Sequence, residues 1–407
     1  MSSSKLSLNK LTFLFPLALV LFEFSVYIGN DLIQPAMLAI TKNFGVSSAL
    51  APSSMSLYLL GGAAVAWLLG PLSDRMGRKK VMLMGVAFFT LCCLLILLSQ
   101  NIEQFLLLRF LQGTGLTVIS AVGYAAIQES FEERDAIKVM ALMANISLLA
   151  PLLGPILGAF LIDHVSWHWG FVGIAALSFL SFFGLKSKMP EDKPVSNTPL
   201  SLAQMYRDFK SVYANARFVK LTLALPMLSL PLMLWIALSP VILVEDWSLS
   251  SMQYGWAQFP VLGGLILGNL ILVRLVDRLA LGQTILIGVP LMLVGALLVV
   301  IGTIWQEYFL MLLIIGMSLI SFGEGLSFSV LYRFALMSSN ISKGTVAAAL
   351  SMLMTLCFFA VIELVRITYD AFGIWAYSLT CLVLLLAWYV WVYGLIRQIM
   401  QERTQAQ

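Results

Sequence analysis

The chain has 407 residues, of which 60% are hydrophobic and only 11% are charged, whereas soluble domains are about 45–50% apolar and about 25% charged. A water-soluble core cannot hold this much apolar sequence, and the length leaves room for about a dozen spanning helices of ~20 residues each. The net charge of +4 comes from basic residues scattered between apolar segments, so binding of nucleic acid is excluded.

Apolar segments bounded by charges or by Pro, Gly and Asn predict twelve transmembrane helices. With the N-terminus in the cytoplasm, twenty-one of the twenty-four Lys and Arg residues lie on that side, leaving Lys42 outside and Arg109 and Arg366 within spans. The positive-inside rule favours this orientation, with both termini cytoplasmic. The predicted spans lie near residues 12–38, 50–72, 80–99, 104–127, 138–162, 168–186, 219–244, 253–276, 283–304, 308–331, 345–368 and 374–396.

Ionisable residues in the first span form a polar stripe. Glu23, Tyr27 and Asp31 recur every four residues, with Asn30 and Gln34 alongside, so we expect them to share one helix face towards a central cavity. Charged side chains inside a bilayer cost at least about 2.5–3.5 kcal/mol each. A carboxylate whose hydration or contact with an arginine changes with conformation can bind and release a proton.

Arg109 in the fourth span is a candidate partner for the two carboxylates of the first helix. The alternative is a fixed buried ion pair that joins the first and fourth helices.

In the fifth span, Gly154 and Gly158 lie four residues apart and allow close backbone approach, while Pro155 weakens the helix nearby. Ordinary tight helix packing would explain the same pattern.

The longest polar stretch, residues 186–220, divides the spans into six and six. We therefore predict an N-terminal half (1–186), a cytoplasmic linker with a short amphipathic helix (187–217) and a C-terminal half (218–407). A faint repeat supports two parallel halves. Asp74-Arg75 follows the second span, and Asp277-Arg278 recurs 203 residues later.

Glu324 in the tenth span is the lone acid of its segment. We interpret it as a second site for a proton or for substrate; the alternative is a permanently protonated carboxyl that hydrogen-bonds to another helix. Glu363 and Arg366, three residues apart, are expected to pair locally.

Methionines and aromatic residues in several spans are candidates for the lining of an apolar pocket, because flexible Met and rigid aromatic side chains suit binding of low specificity. Each of them could equally pack in the core or face lipid. The candidates are Tyr27, Met55, Tyr124, Met143, Trp235 and Phe358.

The remaining reactive side chains do not predict chemistry. All four cysteines lie in apolar segments without metal-ligand spacing, and His164 and His168 lie in an outer loop beside tryptophans, which is typical of anchoring at the membrane interface. No nucleophile–base pair, metal-ligand set or phosphate-binding loop is present. We therefore expect no enzyme activity, no catalytic residue, no bound metal and no cofactor.

Several motifs resemble the major facilitator superfamily. The loop Gly70-Pro-Leu-Ser-Asp-Arg-Met-Gly-Arg-Lys-Lys80 resembles the signature between the second and third helices of that family. The fourth-span segment Arg109-Phe-Leu-Gln-Gly-Thr-Gly115 and the fifth-span segment Gly154-Pro-Ile-Leu-Gly158 are similar to further family motifs, the second being the antiporter motif of drug exporters.

A narrower resemblance covers nearly the whole chain. Residues 15–35, 124–131 and 342–346 are similar to the MdfA-type multidrug antiporters, and Phe322-Gly-Glu-Gly-Leu-Ser-Phe-Ser329 is similar to the CraA-type chloramphenicol exporters within them. MdfA itself carries an apolar residue where this chain has Glu324. The resemblance weakens in the linker and in the C-terminal tail.

The resemblance implies roles for individual residues. Asp31 would be the principal protonation and substrate-responsive site, Glu23 would tune recognition of cations, and Arg109 would organise the conformational change. Asn30 is expected beside them at the substrate. Asp74, Arg78 and Glu129 match a family cluster that closes the inner gate, although a solvated surface pair is the alternative.

The implied function is proton-coupled efflux of lipophilic neutral or cationic drugs, such as chloramphenicol, by alternating access. Partners would be drugs, protons and the lipid bilayer, and the protein would be a monomer in the bacterial inner membrane. The alternative is a proton-coupled or facilitative transporter of a small metabolite, with a more polar cavity. The Gly154–Gly158 motif and the apolar lining favour export.

Overall fold

The computed structural model describes residues 12–191, 202–275, 278–280, 282–339, 341 and 343–405. Among these residues eleven helices are long and apolar enough to cross a membrane, and a further helix contains the shorter apolar stretch Leu149–His164. No β-strand occurs in the described part of the chain. The predicted all-α membrane fold with twelve spanning helices is therefore confirmed.

The chain forms two compact units, Met1–Leu202 and Ala203–Gln407. The first contains α1 (Leu14–Asp31), α2 (Ser53–Met76), α3 (Arg78–Ile96), α4 (Ile102–Ser130), α5 (Glu133–His164) and α6 (His168–Lys188). The second contains α7 (Ala216–Pro240), α8 (Ser251–Leu275), α9 (Gln283–Ile304), α10 (Phe309–Leu336), α11 (Lys343–Phe372) and α12 (Ile374–Gln405).

The boundary between the units falls within the segment that the sequence predicts as a linker. An amphipathic helix forms there, Leu202–Tyr213, and it is fixed to the second unit: the Tyr213 hydroxyl donates to the carbonyl of Ala349 at 2.8 Å, and the Asn215 amide donates to that of Ser338 at 2.9 Å. Three features from the sequence lie outside the described residues, namely linker residues 192–201, Asp277 and Ser342.

Local sequence explains where several helices begin and end. α1 ends at Asp31, before the predicted limit at residue 38, and a turn precedes the short helix Met37–Asn43; Pro35 lies in that turn, and proline disfavours a helical conformation in the residue before it. Asn101 and Asn215 cap α4 and α7, since their side chains accept from backbone N–H groups at 2.9 and 3.1 Å.

Glycines bring neighbouring helices into backbone contact around the buried ionisable residues. A Cβ at Gly61 of α2 would lie 1.7 Å from the Phe110 carbonyl oxygen of α4, next to Arg109. In the second unit, a Cβ at Gly325 of α10 would lie 2.5 Å from the Leu265 carbonyl oxygen of α8. Both contacts exclude any side chain larger than hydrogen, so the segments that carry Arg109 and Glu324 are held closely by their neighbours.

Candidate functional site

The polar stripe of α1 is buried within the first unit. Glu23 is fully buried and Asp31 is 4% exposed, while Tyr27, one turn from each, is half-buried. The Tyr124 hydroxyl of α4 donates to Oε1 of Glu23 at 3.1 Å, just beyond a π-helical segment, Val118–Gly123, of the kind often found at functional sites. The other carboxyl oxygen of Glu23, Oε2, is buried without a hydrogen-bond partner.

Arg109 is fully buried in α4 and is held mainly by neutral groups. Its Nε–H donates to the Ser54 hydroxyl at 3.0 Å, and Nη1 donates to the Gly29 carbonyl at 3.0 Å and to the side-chain oxygen of Gln112. The guanidinium also lies 4.4 Å from the ring centroid of Tyr58, a cation–π arrangement. The residues on α2 that complete this cage were not singled out from the sequence.

Asn30 connects Arg109 to Asp31. Nη2 of Arg109 donates to Oδ1 of Asn30 at 3.3 Å, and Nδ2 of Asn30 donates to Oδ1 of Asp31 at 3.0 Å. Among the described residues Arg109 forms no ion pair with an acid. In this structure Arg109 and Asp31 are therefore linked through a neutral amide and do not form a direct ion pair.

The glycine motif of α5 packs directly on the end of α1. A Cβ at Gly154 would lie 2.6 Å from Cβ of Asp31, and one at Gly158 would lie 2.1 Å from the Leu32 carbonyl oxygen and 2.7 Å from Cγ of Pro35. Pro155 lies between the two glycines, inside the helix. The motif thus fixes the backbone that carries Asp31, which is a more specific placement than the spacing alone indicates.

The three candidate gate residues meet at the junction of α2, α3 and α4. Arg78 donates from Nη2 to Oε1 of Glu129 at 2.8 Å and from Nε to Oε2 at 3.2 Å, and it also pairs with Asp74. The Arg78 side chain is 9% exposed and its acidic partners are 41% and 42% exposed. Gly77, with φ of +90°, lets α3 begin directly after α2 and so places Arg78 there.

Glu324 occupies the middle of α10 in the second unit and is 5% exposed. The hydroxyl of Ser229 on α7 lies close enough to interact with the carboxyl, yet neither Oε2 of Glu324 nor Oγ of Ser229 makes a hydrogen bond of standard geometry. The interpretation of Glu324 as a proton or substrate site and the alternative of a permanently protonated carboxyl that hydrogen-bonds to another helix both stay open.

The candidate wall residues divide between the two units. Met55 and Met143 in the first unit and Trp235 and Phe358 in the second are buried, while Tyr27 and Tyr124 are half-buried beside Glu23. The indole N–H of Trp235 donates to Oε1 of Gln258 at 2.7 Å. No pattern in the sequence indicates Gln258, because a single amide in an apolar span has no recognisable spacing.

Glu363, Arg366 and the two histidines contact groups close to them in the sequence. Glu363 and Arg366 pair at 2.7 Å, as predicted. His164 contacts the Phe160 carbonyl and His168 the Ser166 hydroxyl, each at 2.7 Å. Over the described part of the chain, no group of three His, Cys, Asp or Glu residues is arranged to hold a metal ion.

Comparisons with known proteins agree with one another. A family model for the Major Facilitator Superfamily matches residues 19–362. The chloramphenicol resistance protein CraA of Acinetobacter baumannii is 66% identical over 397 residues, covering 98% of this chain and 96% of CraA. The multidrug transporter MdfA of Escherichia coli O157:H7 is 50% identical over 357 residues, covering 88% of this chain and 87% of MdfA.

Solved structures show the same fold at low sequence identity. A D-xylose–proton symporter superposes with a TM-score of 0.71 at 14% identity, covering 93% of this chain and 97% of the symporter. This likeness concerns the fold alone. The sequence relatives and the family match together confirm the resemblance that the motifs indicate.

Proposed function

Since this chain belongs to the major facilitator superfamily, we propose that it is a proton-coupled antiporter that exports lipophilic drugs, chloramphenicol among them. It is a transporter and not an enzyme. Its relatives include a chloramphenicol resistance protein at 66% identity and multidrug transporters at 50%, and proton coupling is typical of the family.

The observation that carries proton coupling is the pair of buried carboxyls on α1. Glu23 keeps one oxygen without a partner, and Asp31 is reached by Arg109 only through Asn30. Neither acid is permanently neutralised by an adjacent cation, and the insertion cost of a buried charge, at least about 2.5–3.5 kcal/mol, favours proton uptake when the site is dry. We assign Asp31 as the main coupling site and Glu23 as the acid that favours cationic drugs.

Proton movement supplies enough energy for export. One proton crossing a potential of 100 mV releases about 2.3 kcal/mol, which corresponds to a gradient of roughly fifty-fold in a neutral drug. Alternating access in this fold depends on the two six-helix halves changing their contacts around a midplane site. We assign the cluster of Asp74, Arg78 and Glu129 to closure of the inner gate.

Glu324 is the second proton or substrate site of this proposal. It is buried in the second unit without a charged partner, whereas the acids of α1 lie in the first, so the two units each contain ionisable groups. We assign Trp235 and Phe358 of the second unit, and Met55 and Met143 of the first, as candidate contacts of the drug.

The cellular setting follows from the loop charges. We propose that this integral membrane protein resides in the bacterial inner membrane as a monomer, with both termini in the cytoplasm, because this orientation puts twenty-one of the twenty-four Lys and Arg residues inside.

Proton release on drug addition tests the function. Inside-out vesicles with a pH gradient, monitored by a dye, should lose part of that gradient when chloramphenicol or a lipophilic cation is added. Asp31→Asn should abolish the response, while Glu363→Gln, outside the coupling site, should retain it. Absence of a response to any drug in the wild-type protein would overturn the proposal, and an undiminished response in Asp31→Asn would remove Asp31 from its assigned role.

Glu324 has a test of its own. Glu324→Gln keeps the shape of the side chain but cannot ionise, so resistance to at least some drugs should fall when expression is equal to that of the wild type. A resistance profile that is the same for every drug would leave Glu324 with a structural role only.

A further inference from the structure

Buried hydroxyls without partners surround Glu324. Oγ of Ser229 on α7, Oγ of Ser321 on α10 and Oε2 of Glu324 itself are all buried and have no hydrogen-bond partner. Ser321 lies three residues before Glu324, on the neighbouring turn of the same helix face. α7 packs against α10, and Ser229 is beside the Glu324 carboxyl. Three orphaned polar groups thus occur at one place in the second unit.

Ser229 and Glu324 lie at one depth in the membrane, and Ser321 lies one turn away. Ser229 is thirteen residues after Ala216, the first residue of α7, and Glu324 is twelve residues before Leu336, the last residue of α10. At about 1.5 Å per residue, both lie ~18–20 Å from those helix ends. The two ends face the same side, because two spans, α8 and α9, separate α7 from α10 and the two helices therefore run in opposite directions. Thr222, also buried and unpartnered, lies on α7 between Ser229 and that end.

No other charge is available to this site. Apart from Glu324, no Asp, Glu, Lys or Arg occurs in the apolar parts of the five helices α7 to α11. These parts are residues 221–244, which include the four residues after α7, and residues 251–273, 283–304, 309–332 and 345–362. The helices that pack around Glu324 therefore offer it only uncharged polar groups and backbone. An ion pair cannot satisfy its carboxyl from within this unit.

Orphaned buried polar groups are rare because each costs about 1–3 kcal/mol. Other serines of the same helices avoid that cost: Ser327 donates to the Gly323 carbonyl at 2.7 Å and Ser318 to that of Ile314 at 2.7 Å. Ser229 and Ser321 could bond to their own helix in the same way but do not. Polar groups that remain free together, rather than bonding to backbone, are typical of a site that holds internal water.

We propose that Ser229 and Ser321 hold water against Glu324 and that this hydrated site is the route by which Glu324 exchanges its proton. The inference rests on the proposed role of Glu324. In the exchange, the O–H bond of the carboxyl breaks as its proton passes to the water oxygen, and the carboxylate keeps the electron pair. Thr222 extends the polar path towards the end of α7 that begins at Ala216. Ser229 and Ser321 are positioning residues, since they act through the water.

Infrared spectroscopy of drug-free protein in lipid tests the site directly. At acidic pH the C=O stretch of protonated Glu324 is identified as the band that disappears in Glu324→Gln. Ser229→Ala/Ser321→Ala should move this band to higher frequency, because a carboxyl loses hydrogen bonds when its water is lost, and Ser327→Ala should leave it in place. In the same double variant, exchange of the Glu324 proton for deuterium should be about five-fold slower than in the wild type. This factor corresponds to an activation barrier raised by ~1 kcal/mol, the usual contribution of one hydrogen bond.

The outcomes separate this inference from the function it rests on. An unchanged band and exchange rate in the double variant would overturn the hydrated site, and so would a change seen only with drug present, since the hydroxyls would then bind drug and not water. If the double variant does not fold, Ser229→Ala and Ser321→Ala are each judged by the same band. Failure of wild-type vesicles to release protons on drug addition would overturn the antiport proposal alone.

Discussion

Gly158→Ala should uncouple the protein by displacing the end of α1. The added Cβ would lie 2.1 Å from the Leu32 carbonyl oxygen, whereas carbon and oxygen approach only to about 3.3 Å. α5 and α1 must therefore separate by roughly 1.2 Å at this point. Both contacting groups, the Leu32 backbone and the Pro35 ring, are stiff, so the strain cannot be relieved by a rotamer change.

The expected loss of stability is about 1–3 kcal/mol, the usual cost of overpacking, and the gain in helix propensity from Gly to Ala, up to ~1 kcal/mol, offsets only part of it. Thermal unfolding in detergent and drug-induced proton release in proteoliposomes measure the two consequences. Because Leu32 directly follows Asp31, transport should fall more than stability does.

Gly173→Ala on α6 is the matched control, since a Cβ there would have no atom within 4 Å. It should unfold at the wild-type temperature or slightly above and transport normally. The reasoning would be refuted if Gly158→Ala were as stable as Gly173→Ala and released protons at the wild-type rate.

Two further changes test the polar clusters. Arg78→Lys keeps the charge but cannot donate two parallel bonds to Glu129, so efflux should drop several-fold while stability falls by no more than about 1 kcal/mol, as for partly exposed pairs; wild-type drug resistance would contradict a gating role. Asn30→Leu removes the bridge between Arg109 and Asp31, so drug-induced proton release should be lost although both charges remain. Normal release in that variant would show that the bridge is dispensable.

The membrane class, the number of spans and the stripe on α1 could be predicted from the amino-acid sequence alone. These properties depend on local composition and helical period: about 20 apolar residues make a span wherever they occur, and residues four apart share a face in any α-helix. The motifs also indicated the cluster of Asp74, Arg78 and Glu129, of which Asp74 and Arg78 are only four residues apart.

The neutral groups that surround the charges could not be predicted from the sequence, because they depend on how the helices pack. Ser54 and Tyr58 of α2 contact Arg109 of α4, and Ser229 of α7 lies beside Glu324 of α10. These partners are 51 to 95 residues apart in the sequence, so helical periodicity, which relates only residues of one helix, cannot predict them. Direct pairing of Arg109 with Asp31 was the natural expectation from charge alone. It does not occur because the side chain of Asn30, the residue adjacent to Asp31, lies between the two charges, and the depth and rotation at which α1, α2 and α4 pack determine that placement.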